Sequence, residues 1–400
     1  MKVVQINCVY QKGSTGKITY DIARGMDSRN IESVVCYGRG NYEQVDEKIR
    51  VYKSCSEIES NLTHAISYIT GNMYEGCFFA TQKLKKIIMN EAPDVVHLQC
   101  INGYFVNIYG LLQFLAKYQI PTVITLHAEF MFTGGCGYAY ECENWMKNPG
   151  CITCSRFKEE SGSFFFDKMG DMWEKMYKTM EKFAYEKVEI VSVSPWLKER
   201  AVKSPILSKL HHTVIMNGLD TAIFKPCFVK NKNNTILHVT PEFTDDKEHV
   251  KGGYYILELA KKMPNYIFLI AGEHKLKRKI PDNVKLLGRI NDQTHLAELY
   301  SKANVTVLTS RRETFSMVCA ESLACGTPVV GFKAGAPEMI ALDKYSTFVE
   351  FGNINELQKA IEEALNWNDS DKISKEASKK YDKNKMIQNY IDIYKRLVGK

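Results

Sequence analysis

Two carboxylates, Glu313 and Glu321, stand eight positions apart in the run Glu313-Thr-Phe-Ser-Met-Val-Cys-Ala-Glu321. Before them, Val305-Thr-Val-Leu308 is a short apolar run rich in β-branched residues, the pattern of a buried parallel strand. After them, the pattern predicts a helix from about Thr314 to Cys325, closed near Gly326, and then a strand Val329–Phe332. A strand–loop–helix junction of this kind turns unpaired backbone N–H groups and the positive helix end toward one point, which suits a phosphate. At ~1.5 Å per helical residue the two carboxylates would lie roughly 12 Å apart, about the reach across a diphosphate. Glu313 would then hold hydroxyls of one sugar and Glu321 those of a ribose. Two solvated glutamates on a surface helix would look the same in isolation, so the elements around them must decide.

Those elements alternate. Strands are expected at Val3–Cys8, Ser33–Tyr37, Val95–Leu98, Thr122–Leu126 and Glu189–Val193, then at Thr235–Val239, Ile267–Ala271, Val284–Leu287, Val305–Leu308 and Val329–Phe332. Helical patterns between them argue an α/β architecture with parallel sheets. A chain of 400 residues exceeds one ordinary core, so the two halves read as two doubly wound sheets with a crevice between them as the ligand site. The net charge of +7 suits a phosphate-bearing substrate or an anionic surface and is too sparse for a nucleic-acid binder. No apolar run approaches ~20 residues, so no membrane span is expected. The opening Met-Lys-Val-Val-Gln-Ile-Asn-Cys is too short and too quickly polar for a signal peptide, and a cytoplasmic location is the expectation.

Further candidate residues sit at strand ends. Gly13-Ser-Thr-Gly16-Lys17 follows the first strand; it is not a P-loop, because only two residues separate its glycines. Thr125-Leu-His127 ends a strand, where α/β sheets put ligand groups, though a satisfied structural histidine fits as well. Pro93-Asp-Val-Val-His97-Leu-Gln99 with Asn102-Gly-Tyr104-Phe105, Val250-Lys251-Gly252 and Gly288-Arg289-Ile290-Asn291 complete the set.

This set, with the Glu-x7-Glu spacing, resembles the retaining glycosyltransferases of the GT-B fold, most closely family 4. The likeness covers nearly the whole length and is strongest from about residue 190 to 340. The resemblance implies two Rossmann-like domains facing a central crevice. It places an acceptor-side domain at residues 1–212, a nucleotide-sugar domain at 213–378, and a last segment, 379–400, whose helix crosses back to the first domain. The boundary would lie at Thr213-Val-Ile-Met-Asn-Gly-Leu-Asp-Thr-Ala-Ile-Phe-Lys-Pro226, followed by the linker Lys230–Asn234. It further implies Gly16 against the donor diphosphate and Lys251 neutralising the departing phosphate. Phe315, Ser316 and Met317 would offer N–H groups there, with Arg289 and Ile290 beside the base and Glu321 on the ribose. Glu313 and His127 would orient the transferred sugar as the catalytic pair, with His97, Asn102 and Tyr104 on the acceptor side. Two departures stand out. Ala128 occupies the place of an aspartate, and the arginine usual about six residues before Lys251 is missing, which leaves its work to Lys247 or Lys251.

No carboxylate is placed as a covalent nucleophile, so front-face attack with retention is the implied mechanism, and no metal or cofactor is needed for catalysis. The expected partners are a UDP- or GDP-sugar and a hydroxyl acceptor, a glycan or lipid-linked glycan of cell-surface polysaccharide, with no nucleic acid. A nucleotide-sugar epimerase of the same fold and a non-catalytic nucleotide-sugar-binding module remain the alternatives.

Two segments lie outside this scheme. Of twelve cysteines, Cys136, Cys142, Cys151 and Cys154 cluster in a glycine-bearing loop at 134–156. Such a loop has few ways to hold itself together, and structural zinc on four thiolates is one reading beside reduced thiols and redox use. Some relatives in the resembled family carry a similar cysteine-bearing insertion. From Phe164-Phe-Phe166 to Phe183 the chain carries many apolar residues among lysines, at helical spacing from 169 to 183. It reads as a helix packed on its own domain, or as a peripheral contact with the inner face of a membrane.

Overall fold

A computed structural model of the chain describes residues 1–42, 48–227, 234–367 and 369–399. The expected linker at 230–234 therefore lies outside the described residues except for Asn234. The chain divides into two compact units, Met1–Met216 with Met386–Lys400, and Asn217–Lys385.

The first unit is built on seven strands: β1 Lys2–Asn7, β2 Glu32–Tyr37, β3 Arg50–Lys53, β4 Val95–Leu98, β5 Thr122–Leu126, β6 Val188–Ser192 and β7 His211–Val214. All pair in parallel, in the order β3-β2-β1-β4-β5-β6-β7. Its central strands are buried end to end because helices cover both faces of such a sheet. The order reverses between β1 and β4, so the loops leaving the carboxyl ends of these strands flank the crevice where this topology binds ligands. Helix Gly13–Asp27 and the last helix, Lys383–Leu397, share one core: Ile18, Ile22, Ile387, Tyr390 and Tyr394 close on Val3, Val95, Val123 and Val191. Gly25 is where the two helices touch, since a Cβ there would be driven into Ile387.

The second unit repeats the plan with β8 Thr235–Thr244, β9 Ile267–Lys275, β10 Val284–Gly288, β11 Val305–Leu308, β12 Val329–Phe332 and β13 Ser346–Val349. The order is β10-β9-β8-β11-β12-β13, again all parallel, with the reversal between β8 and β11.

Differences from the sequence expectation have local causes. The edge strands β3 and β13 went unread because Arg-Val-Tyr-Lys and Ser-Thr-Phe-Val carry little apolar signal, and both are only half-buried. Strand β8 runs past Val239 through a register shift that absorbs Pro241, which has no N–H to give a regular ladder. Helix Met169–Met180 buries Met169, Met172, Trp173, Met176 and Met180 on its own unit, so its apolar face does not look outward.

Candidate active site

The switch point of the second unit gathers the residues singled out first. Leaving β8, the chain reaches Lys251-Gly252; leaving β11, it reaches Glu313. The two loops are stitched together: the Arg311 N–H donates to the Val250 carbonyl (2.8 Å) and Thr309 Oγ1 donates to the Lys251 carbonyl (3.2 Å). Gly252 holds φ +65° directly over the Thr309 carbonyl, where a Cβ has no room. Glu313 is clamped through its backbone, donating to Ala334 (2.9 Å) and accepting from Ala336 (3.1 Å). Its carboxylate takes the Lys251 ammonium at 2.7 Å, with about a fifth of each side chain exposed (18% and 21%). This is a charge-assisted bond in a partly dried site.

The helix beyond opens later than the sequence pattern predicts, at Met317 and not near Thr314, and it ends at Ala324. Ser316 is the reason. It sits at φ 82°, a left-handed conformation that no helix interior accepts, and its Oγ accepts from the Cys319 N–H (3.3 Å) as the cap. A non-glycine residue held there is strained backbone of the kind found at ligand sites. Glu313 accordingly lies in the loop, so the helical estimate of its spacing to Glu321 does not apply. Glu321 is inside the helix, where Oε2 accepts from the hydroxyl of Tyr300 (3.0 Å). Burial and the neighbouring carboxylate hold that phenol far above its usual titration range, so it stays a donor. Tyr300, bonded to Glu321, is a candidate that sequence reasoning missed, because a tyrosine on an amphipathic helix carries no distinguishing signal. Phe315 is buried, 6.4 Å from the ring of Tyr381. Arg289 and Ile290 follow the edge strand β10, which β9 separates from β8; Arg289 pairs with Glu273 at 3.1 Å on the surface.

In the first unit, His127 directly follows β5 and heads a buried polar chain. Its Nε2 meets Gln99 Oε1 at 2.8 Å. An amide oxygen only accepts, so Nε2 carries the proton and the lone pair is on Nδ1. Gln99 Nε2 donates in turn to His97 Nδ1 (3.4 Å), which also takes the Tyr394 hydroxyl (2.7 Å). His97 Nε2 reaches Thr125 Oγ1 (2.8 Å), and Thr125 reaches Tyr390 OH (3.1 Å). Burial lowers His127 to about 4 and His97 to about 3, so both rings are neutral at pH 7. His97 itself is wholly buried, with both ring nitrogens engaged inside the unit; it supports His127 and offers no surface to an acceptor. Asn102 and Tyr104, from the loop after β4, are partly exposed. Asn102 Oδ1 accepts from Cys100 Sγ at 3.0 Å, and the Tyr104 ring lies 4.3 Å from His64. Gly16 lies in the first turn of its helix, where a Cβ would press on Val9 and Gln11 of the same loop; the space over Gly13, at φ +66°, is open.

The cysteine loop has its own means of support. Glu129, fully buried, takes the Arg200 guanidinium at 2.8 Å, and that guanidinium lies over Trp145 and Trp196. Trp145 Nε1 donates to the Cys142 carbonyl (2.7 Å) and Trp173 Nε1 to the Trp145 carbonyl (3.1 Å). These contacts tie the loop into its unit through buried side chains. The Cys136 thiol donates to Cys154, which lowers Cys154 to about 7, while burial pushes Cys151 to about 12. Among the described residues no three His, Cys, Asp or Glu side chains group as a metal ion needs.

Residues 15–223 match the model of Glycosyltransferase Family 4, and residues 242–381 match that of Glycosyl transferases group 1. An uncharacterized glycosyltransferase of Methanocaldococcus jannaschii is 25% identical over 80% of this chain and 88% of its own length. The provisionally named colanic acid biosynthesis glycosyl transferase WcaC of Escherichia coli K12 is 19% identical over 99% of this chain and all of its own. Among solved structures, sucrose-phosphate synthase of Thermosynechococcus elongatus superposes with a TM-score of 0.72 at 15% identity, covering 100% of this chain and 99% of that one. Alr3699/HepE of Anabaena in complex with UDP-glucose gives 0.65 at 16% identity, with 98% of each chain covered. One family's model spans more than half of the chain, a second glycosyltransferase model spans most of the rest, and both sheets have the doubly wound order of the GT-B fold: the chain belongs to glycosyltransferase family 4.

Proposed function

We propose that this glycosyltransferase moves a sugar, with retention of its anomeric configuration, from a nucleoside-diphosphate sugar to a hydroxyl of a glycan or lipid-linked glycan in cell-surface polysaccharide assembly. The observation that carries the reading is the Lys251–Glu313 pair at the switch point, one turn ahead of a capped helix start and eight positions before Glu321. A diphosphate arriving there competes with Glu313 for the Lys251 ammonium and frees the carboxylate for sugar hydroxyls. Glu321, oriented by Tyr300, takes the ribose hydroxyls. As the bond from anomeric carbon to phosphate oxygen breaks, Lys251 and the N–H groups at 315–317 bear the growing negative charge. The acceptor oxygen bonds the same carbon from the same face, and its proton passes to the leaving phosphate. In the first unit His127 is neutral, with its tautomer set by Gln99, and the resemblance to family 4 assigns it to a hydroxyl of the transferred sugar. Protein groups carry the phosphate charge throughout, so the reading asks for no catalytic metal. Support for the donor class also comes from the Anabaena relative, whose structures hold UDP and UDP-glucose; support for the pathway comes from WcaC and from a 41.2 kDa protein of the cps region of Klebsiella pneumoniae.

The test is calorimetric and thermal-shift binding of UDP-, GDP-, ADP- and CMP-sugars to the wild type and to Glu321→Ala. One nucleotide sugar should bind, less tightly to the variant; no binding to a folded protein refutes the reading. Product that forms without added acceptor would instead identify an epimerase, and an α-donor must give an α-product.

A further inference from the structure

Helix Glu57–Thr70 is inside out. The residues it buries are Ser60 and Ser67, while Ile58, Leu62, Ile66 and Ile69 point to solvent, Ile58 with 82% of its surface exposed. Its inner side is satisfied by polar contacts. Thr63 Oγ1 accepts from the Cys77 N–H (3.1 Å), Ser67 Oγ donates to the His64 carbonyl (2.7 Å), and the His64 ring lies against Tyr68 and Tyr104. A surface helix ordinarily turns its apolar stripe to the core, so this orientation is a sign of another phase or partner.

The stripe extends at both ends. At its start, Glu59 accepts from the Phe79 N–H (2.8 Å), which fixes the exposed pair Phe78 and Phe79 beside it. At its end, the Phe164 N–H donates to the Tyr68 carbonyl (2.9 Å), which brings the exposed triplet Phe164–Phe166 alongside. All of these residues belong to the first unit. Charge beside the stripe is uneven: Glu57 and Glu59 lie at its start and Asp167 follows Phe166, while the lysines gather on one neighbouring helix. Past Glu57, which Lys53 holds at 3.0 Å, the outer face of the helix carries no charged side chain. The neighbouring helix Phe78–Glu91 exposes Lys83 and Lys86, and its one carboxylate, Glu91, is buried and engaged by Lys2 and Arg50.

We propose that the outer face of helix Glu57–Thr70, with Phe78, Phe79 and Phe164–Phe166, docks on an anionic phospholipid bilayer. An uncharged aliphatic stripe with aromatic ends enters the acyl boundary, and an adjoining lysine face meets anionic headgroups; a carboxylate-rich protein surface would match the lysines but not the phenylalanine runs. The sequence pointed to a membrane contact further along the chain. The methionine-rich helix there is packed inward, and only Phe164–Phe166 of that stretch takes part.

The experiment is flotation of the full chain with vesicles of phosphatidylcholine alone and of phosphatidylcholine mixed with phosphatidylglycerol. The protein should float with the anionic vesicles and less with the neutral ones. Leu62→Glu/Ile66→Glu and Lys83→Glu/Lys86→Glu should each lower partitioning by roughly tenfold. Phe164→Ser/Phe165→Ser, in a separate loop, should act in the same direction and guards against misfolding of the helix variant, with circular dichroism checking all three. The proposal is overturned if the wild type stays behind with anionic vesicles, or if the Leu62/Ile66 variant floats as well as the wild type. It is equally overturned if light scattering finds a dimer that this variant dissociates, which would make the face a contact between two copies.

Discussion

At the scale of single residues, the site depends on which atoms are held in which protonation state. Lys251 is fixed by Glu313 and by a glycine that no other residue can replace. Lys251→Ala should lower kcat by on the order of a hundredfold to a thousandfold, the usual cost of losing one preorganised charge contact on a developing oxyanion. Steady-state rates with the donor found in the binding screen check this, and a loss confined to KM would count against a role in the chemical step. Gln99 makes a subtler prediction. It does not touch substrate in the proposed mechanism, but its amide oxygen keeps the His127 proton on Nε2. Gln99→Leu should cut kcat about tenfold while leaving the donor affinity nearly unchanged, and Gln99→Glu, which keeps an acceptor at the same place, should recover part of the rate. A purely structural role for Gln99 would lower the melting temperature in both variants without that recovery.

At the scale of elements, the last helix is the support that sequence periodicity could suggest but not position. It contributes Tyr390 and Tyr394 to the buried chain beneath His127, so a segment nearly three hundred positions away sets the floor of the first unit's candidate site. Removing only the hydroxyl, Tyr394→Phe, leaves His97 Nδ1 with the long contact to Gln99 and should cost about 1–3 kcal/mol. Tyr390→Ala should cost about 3–5 kcal/mol, because it also opens a cavity against Val95 and Val123. Urea titrations of the two variants check the order, and no loss of stability in Tyr394→Phe would show that the network adds nothing to the packing. The central strands were legible because a parallel sheet covered on both faces is rich in Val, Ile and Leu, even where His97, Thr125 and Glu189 interrupt the run. The edges β3 and β13 were not, since half-exposed residues there carry mixed signals.

At the scale of the whole molecule, acid should be the condition that reveals how much neutral histidine the fold depends on. Burial depresses His97 to about 3, and His127 and His238 to about 4. In the unfolded chain each takes a proton near its ordinary value, so the unfolded state gains protons that the native state refuses. Their stability contribution is complete above about pH 6.5 and is lost as pH falls toward the folded values, at ~1.4 kcal/mol per pH unit for each ring. Denaturation midpoints measured from pH 7.5 down to 5 should fall steeply, and less so in His97→Gln; a flat profile would show that these rings are not buried neutral. By itself, the amino-acid sequence determined the α/β alternation and the family, and singled out Glu313, Glu321, Lys251 and His127 as candidates, because local patterns of apolar residues and strand-end motifs are written in consecutive positions. Only the tertiary structure decided that Ser316 delays the helix, that Tyr300 and Gln99 orient the candidate site residues, that His97 is core, and that helix Glu57–Thr70 turns its apolar side outward. Each of these depends on which distant residue occupies the space beside it, and no spacing along the chain carries that information.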